Sequence, residues 1–70
     1  MQETLRGRVL QLVPVSIHGL VFFNVALKLE GGERRLLRLP QEQLPPGVSV
    51  GDRLELELLL GNVMEARRLG

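Results

Sequence analysis

A chain of 70 residues buries only about 60% of the surface its unfolded state exposes, so it reads as one domain, residues 1–70, with a thin core. Hydrophobic residues make up 44% of it and aromatics 3%, only Phe22 and Phe23, so Leu and Val must build that core; with no Cys, disulfides and thiolate metal sites are excluded. The net charge of +1 excludes no class of partner.

Apolar runs fall well short of the roughly 20 residues that span a bilayer, and Met1 to Thr4 are polar. Neither a signal peptide nor a membrane helix is therefore expected, and a cytoplasmic setting is the default. Charge is unevenly distributed along the chain. Arg6, Arg8, Lys28, Arg34, Arg35 and Arg38 outnumber Glu3, Glu30 and Glu33 up to Pro40, whereas from Gln41 to Leu60 only Arg53 stands against Glu42, Asp52, Glu55 and Glu57.

The first strand spans about Leu5 to Val15. Leu5, Gly7 and Val9 alternate with Arg6 and Arg8, the mark of a half-buried strand, and the alternation breaks at Val9-Leu10. A bulge between Gly7 and Leu10 would pass the inward phase to Leu10 and Leu12. Pro14 belongs near the strand end, where its missing N–H costs no ladder bond. Ser16 to Gly19 form a loop. The second strand, Leu20 to Glu30, sets Val21, Phe23, Val25, Leu27 and Leu29 on one face and Phe22, Asn24, Ala26, Lys28 and Glu30 on the other. Gly31-Gly32 supplies the positive φ of a hairpin turn.

The third strand, Arg34 to Leu39, turns Leu37 and Leu39 inward, Arg38 outward, and Leu36 outward near Phe22 or Ala26. A connector with one helical turn at Gln41 to Leu44 ends at Pro45-Pro46. The fourth strand, Arg53 to Leu60, places Leu54, Leu56, Leu58 and Leu60 inward and Glu55 and Glu57 outward. A Gly61-Asn62 turn would pair Leu60 with Val63 and force Glu65 and Arg67 onto the leucine face. A three-residue loop instead pairs Leu60 with Met64, Leu58 with Ala66 and Glu57 with Arg67. That loop, or a two-residue turn followed by a bulge, is expected on grounds of burial and charge.

Five strands without a substantial helix predict an all-β fold: a small five-stranded barrel, of the oligonucleotide-binding (OB) Greek-key type or the SH3-like type. Leu5-Arg6-Gly7-Arg8-Val9 resembles the Gly-x-Val opening of the first strand in OB-fold families of the anticodon-binding kind. Val50-Gly51-Asp52-Arg53-Leu54 resembles the Gly-Asp turn that such barrels share, and both stretches resemble, more weakly, the small barrel appended to molybdate and sugar transporter ATPases. The resemblance implies that strand one neighbours strand four and that the sheet of strands one to three is the ligand face. The chain departs from the OB pattern in its Pro-rich connector, which stands where a helix is usual, and in having few exposed aromatics.

Arg6, Arg8, Lys28, Arg34, Arg35 and Arg38 belong to those three strands or their turns, with Phe22 and Asn24 beside them. Such a face meets phosphates through Arg and Lys and stacks bases on rings. The competing reading pairs these arginines with glutamates, Arg6 and Arg8 lying against Glu55 and Glu57. A second surface, of Phe22, Ala26, Leu36 and Leu59, would serve a homo-oligomer or a protein partner. Ser16, His18 and Asp52 are the only nucleophile-base-acid set, and nothing in their spacing requires them to meet. The expectation is a non-enzymatic module without metal or cofactor. It would bind single-stranded nucleic acid or a similar polyanion, the alternative being an assembly module.

Overall fold

The computed structural model describes residues 1–70 and contains five strands, β1 (Gln2–Ile17), β2 (Leu20–Leu29), β3 (Arg34–Pro40), β4 (Arg53–Leu59) and β5 (Asn62–Leu69), with one 3₁₀ turn at Gln41–Gln43. They form one antiparallel sheet in the order β3-β2-β1-β4-β5. None of the helical structure is long and apolar enough to cross a membrane.

The fold is built on β1, which serves two neighbours in succession. Gln2 to Arg8 pair with β4, and Gly7 to Ile17 pair with β2, so only Gly7 and Arg8 are bonded into both ladders. Between Val9 and Gln11 the register with β2 slips by one residue, the expected bulge, which hands the inward phase from Val9 to Leu12. Leu10 does not follow Leu12 inward as its hydrophobicity suggested. It is the extra residue and is expelled, 37% exposed, on the outer side.

A clasp holds the bend. The Gly51 N–H donates to the Val9 carbonyl and the Val9 N–H donates to the Asp52 carbonyl, both at 2.8 Å. Within that turn the Ser49 N–H donates to Asp52 Oδ2 at 2.9 Å, and Gly51 takes a φ of 96°, a conformation open to glycine at little cost. The Gly-Asp motif thus fixes where β4 begins relative to the point at which β1 turns. Pro14 lies beyond the stretch of β1 that β4 covers, so one edge of the strand is free there and its missing N–H breaks no ladder.

Leu5, Val9, Val25, Leu27, Leu39, Leu54, Leu56 and Leu58 make one buried cluster drawn from β1, β2, β3 and β4. A single sheet with no second layer can bury leucines to this extent only by coiling about its own inner face. Strand pairing does not complete a barrel, however. β3 and β5 are the outermost strands and are not bonded to each other. The connector stands at this opening instead: its 3₁₀ turn touches both β2 and β5, and Leu44 and Val48 pack against the core.

The closing hairpin corrects two further expectations. Its turn is Leu60-Gly61, one residue earlier than the Gly-Asn pair suggested, with Leu59 opposite Asn62 and Leu58 opposite Val63. Leu60 is therefore a turn residue, 76% exposed, and not the last inward leucine. A bulge follows at once and restores parity, setting Leu56 opposite Ala66 and Glu55 opposite Arg67. Glu57 faces Glu65 rather than Arg67. Leu60 and Gly61 both have positive φ, as do His18 and Gly19 in the β1–β2 turn, the requirement of a type I′ hairpin. Asn or Gly would fill Leu60's place with less strain.

Gly7 is the residue the pinch point cannot exchange. A Cβ there would stand 2.7 Å from the Lys28 carbonyl oxygen, a backbone atom inside the ladder. Gly7→Ala should destabilise the protein by about 1–3 kcal/mol in urea melts, whereas Leu36→Ala, at an exposed site, should stay within roughly 0.5 kcal/mol of wild type.

Candidate functional site

The outer surface of the sheet divides into two halves of opposite electrostatic character, meeting along β1. On β4 and β5 every arginine has a carboxylate within ion-pair distance. Arg6, Glu55 and Arg67 stand in one cross-strand row. Arg6 Nε donates to Glu55 Oε2 at 2.6 Å, while Arg67 Nε donates to Oε1 at 2.8 Å and its Nη2 to the same oxygen. The pairing of Arg6 with Glu55 is the one the competing reading of the arginines expected. Glu55 points outward as the alternation requires, yet the two arginine side chains cover it so that it counts among the buried residues. Its neighbour Glu57 accepts from Gln2 Nε2 at 2.8 Å. Arg8 is not Glu57's partner, since it lies at the other end of this ladder opposite Arg53.

The guanidinium hydrogen bonds from Arg67 and Arg6 hold the Glu55 carboxyl below the usual glutamate range, against the opposing pull of desolvation. Asp52 is likewise lowered, chiefly by the Ser49 N–H and then by Arg68, whose Nη1 lies 3.5 Å away. Both carboxylates are structural ties, one across the wall and one in the clasp.

On β1, β2 and β3 the balance is different. Arg8, Lys28, Arg34 and Arg38 are exposed and none has an acidic side chain within ion-pair distance. Arg8 lies opposite Lys28, and Lys28 opposite Arg34, so three cations stand side by side across three strands. Directly opposed like charges destabilise a sheet unless a counter-charge comes from elsewhere. Arg8 Nη1 donates to the Gly51 carbonyl at 2.6 Å, and Arg38 Nε to Asn24 Oδ1 at 3.0 Å; both bonds position the guanidinium without neutralising it. Phe22 lies on the same face, half-buried between Val15 and Pro40. Between the cation row and Arg38 lies a shallow apolar floor of Val13, Ala26 and Leu36, hollow enough to hold about 530 Å³.

Two residues of the expected basic face are not on it. Arg6 is committed to Glu55. Arg35 pairs opposite Leu27 and so belongs to the inner side of β3, where it forks onto both oxygens of Glu3 at 3.4 Å. That bidentate pair links the free edge strand to the start of β1, and the alternation Arg34-Arg35-Leu36-Leu37 carried the signal: Arg35 shares its phase with Leu37. Of the apolar candidates, Phe22, Ala26 and Leu36 share one face, Leu36 being 77% exposed opposite Ala26. Leu59 lies away from them on β4, between Gln2 and Asn62.

Ser16 and His18 lie at the β1–β2 turn, while Asp52 is bonded to Val9, roughly 20 Å back along β1. They cannot act together. Nowhere do three or more His, Cys, Asp or Glu side chains gather as metal ligands would. Comparison with protein-family models, curated proteins and solved structures finds no match for the chain.

Because the folded-state pKa of Glu55 is depressed, its stabilisation is complete above the ordinary carboxylate value of about 4.3 and disappears as pH falls through the depressed value. Glu55→Gln should lower the thermal midpoint at pH 7. The gap to wild type should narrow steadily below pH about 4, a trend that paired melts from pH 7 to pH 2 would read.

Proposed function

We propose that the chain is a non-enzymatic OB-type module that binds single-stranded nucleic acid, or a similar polyanion, through the outer face of β1, β2 and β3. One observation carries the reading: Arg8, Lys28, Arg34 and Arg38, the four cations without acidic partners, all collect on that face, while every arginine of β4 and β5 has a carboxylate within ion-pair distance. The fold type is supported by the neighbouring of β1 and β4 and by a bent first strand shared between the two halves, as in a partly open Greek-key barrel. Its β1–β2 and β4–β5 turns have two residues each, too short to grip a ligand, so the strand face must supply the contacts.

In this reading Arg8, Lys28, Arg34 and Arg38 meet phosphates. Asn24 steadies Arg38, and Phe22 with Val13, Ala26 and Leu36 offers an apolar surface for bases. A single ring gives little stacking, worth about 1–3 kcal/mol per base where it occurs, so affinity rests on charge. Sequence preference is correspondingly slight. The second reading, self-assembly through Leu36 and Ala26, is favoured by the exposure of Leu36 at the centre of the same face; a concentration-dependent rise in mass by light scattering that Leu36→Glu abolishes would support it.

Fluorescence anisotropy with a labelled oligonucleotide should show binding at low salt that weakens as salt rises, with a log–log slope of about −0.7 for each cation engaged. Lys28→Glu combined with Arg34→Glu should weaken it roughly tenfold or more at low salt. No binding at low salt would overturn the proposal.

A further inference from the structure

The cation row does not stop at β1. Arg53, the first residue of β4, lies directly opposite Arg8, so Arg53, Arg8, Lys28 and Arg34 form one unbroken row across four strands. At the usual strand spacing of about 4.8 Å the row is roughly 14 Å long and runs across the strands rather than along them. Three directly opposed pairs of like charge follow one another in it. Each such pair costs stability in an empty sheet.

The ground along this row is hollowed. Arg8, Lys28 and Arg53 border a depression of about 280 Å³, and Arg34 borders a second. Leu10, the residue expelled by the bulge, lines both, so the two depressions adjoin across it. One acid intrudes. Glu30, which follows β2, lies on the wall of the first depression, and its Oε2 is 3.6 Å from Arg53 Nη2. Both side chains are about half exposed, so the pair is a weak, solvent-screened one that an incoming anion can displace. Of the other acids nearby, Asp52 is engaged by Ser49 and Arg68, and Glu55 by Arg6 and Arg67. Glu33 adjoins Arg34 in the chain but forms no ion pair with it.

We infer that Arg53-Arg8-Lys28-Arg34 is a track for a linear chain of phosphates crossing the strands, with Arg53 its fourth cation and Glu30 an internal competitor that occupies Arg53 until the ligand arrives. This rests on the polyanion reading of the face but narrows it. The four-cation row recognises phosphate and nothing on a base, so an inorganic polyphosphate chain satisfies it as a nucleic-acid backbone does. Leu10 contributes the apolar shoulder between the two depressions.

The test uses the whole chain with two ligands, a labelled single-stranded oligonucleotide by anisotropy and long-chain inorganic polyphosphate as competitor and by calorimetry. Arg53→Gln should weaken both several-fold and reduce the oligonucleotide's log–log salt slope by about 0.7. Arg53→Lys should restore the slope. Glu30→Gln should tighten both ligands several-fold, an effect that a merely structural role for either residue would not produce; unchanged thermal midpoints would show that the exposed substitutions leave the fold intact. If the oligonucleotide binds but its affinity and slope are unmoved by Arg53→Gln and Glu30→Gln, the track is overturned and the broader face reading survives. If polyphosphate binds in an Arg53-dependent way and the oligonucleotide does not, the track stands and the nucleic-acid reading falls. If neither binds at low salt, both fall.

Discussion

The structure depends on a single strand being asked to belong to two ladders. β1 gives its first half to β4 and its second to β2, and the changeover occupies Gly7 and Arg8. Three local features make this physically tolerable. Gly7 has no Cβ to meet the Lys28 carbonyl, Leu10 is released from the ladder as a bulge, and the Ser49 to Asp52 turn bonds back to Val9 on both its N–H and its carbonyl. Because the sheet bends there, its inner leucines can surround one another without a second layer, which a chain this short could not provide.

The same bend sorts the charges. Residues on either side of it meet different neighbours: Arg6 and Arg67 bond Glu55 of β4, while Arg8, Lys28, Arg34 and Arg38 have no acidic side chain within ion-pair distance. Arg6 and Arg8 are two residues apart on one strand, yet Arg6 is locked to Glu55 and Arg8 faces Arg53 and Lys28. On the β4 wall a buried carboxylate is held by two guanidiniums. The cation row beside the bulge is the reverse: a repulsive arrangement that the fold tolerates and that an anion would relieve. In the proposed reading, binding and stability make opposite demands on neighbouring rows of the same sheet.

Much of the architecture was legible because period-two alternation reports burial directly. Val25 and Leu27, Leu37 and Leu39, and Leu54, Leu56 and Leu58 all take the inner positions their spacing assigned, and the broken alternation at Val9-Leu10 marked the bulge. Leu60 and the hairpin turn were misplaced because Gly-Asn is the stronger turn signal in isolation. The bulge in β5 lets Leu60, an unfavourable residue at positive φ, take the turn so that Ala66 rather than a charge lies against Leu56. That the sheet stays open was not legible either, since whether β3 and β5 meet depends on the whole coil of the sheet; here they do not pair, and Leu44 and Val48 of the connector pack against the core.

For the candidate site, composition by strand was enough to point to the face of β1, β2 and β3, since six of the cations lie in that part of the chain. It could not say which of them remain free, because neutralisation is decided by register between strands distant in sequence. Arg6 and Arg35 are lost to Glu55 and Glu3, residues 49 and 32 positions away, and Arg53 joins the row only through its pairing with Arg8. The sequence alone determined the five strands, the inward phase of Val25, Leu27, Leu39, Leu54, Leu56 and Leu58, and the gathering of positive charge in the first three strands, all of which follow from local alternation and turn chemistry. Only the tertiary structure decided which charges meet, because an ion pair exists where the fold brings two side chains within a few ångströms of each other.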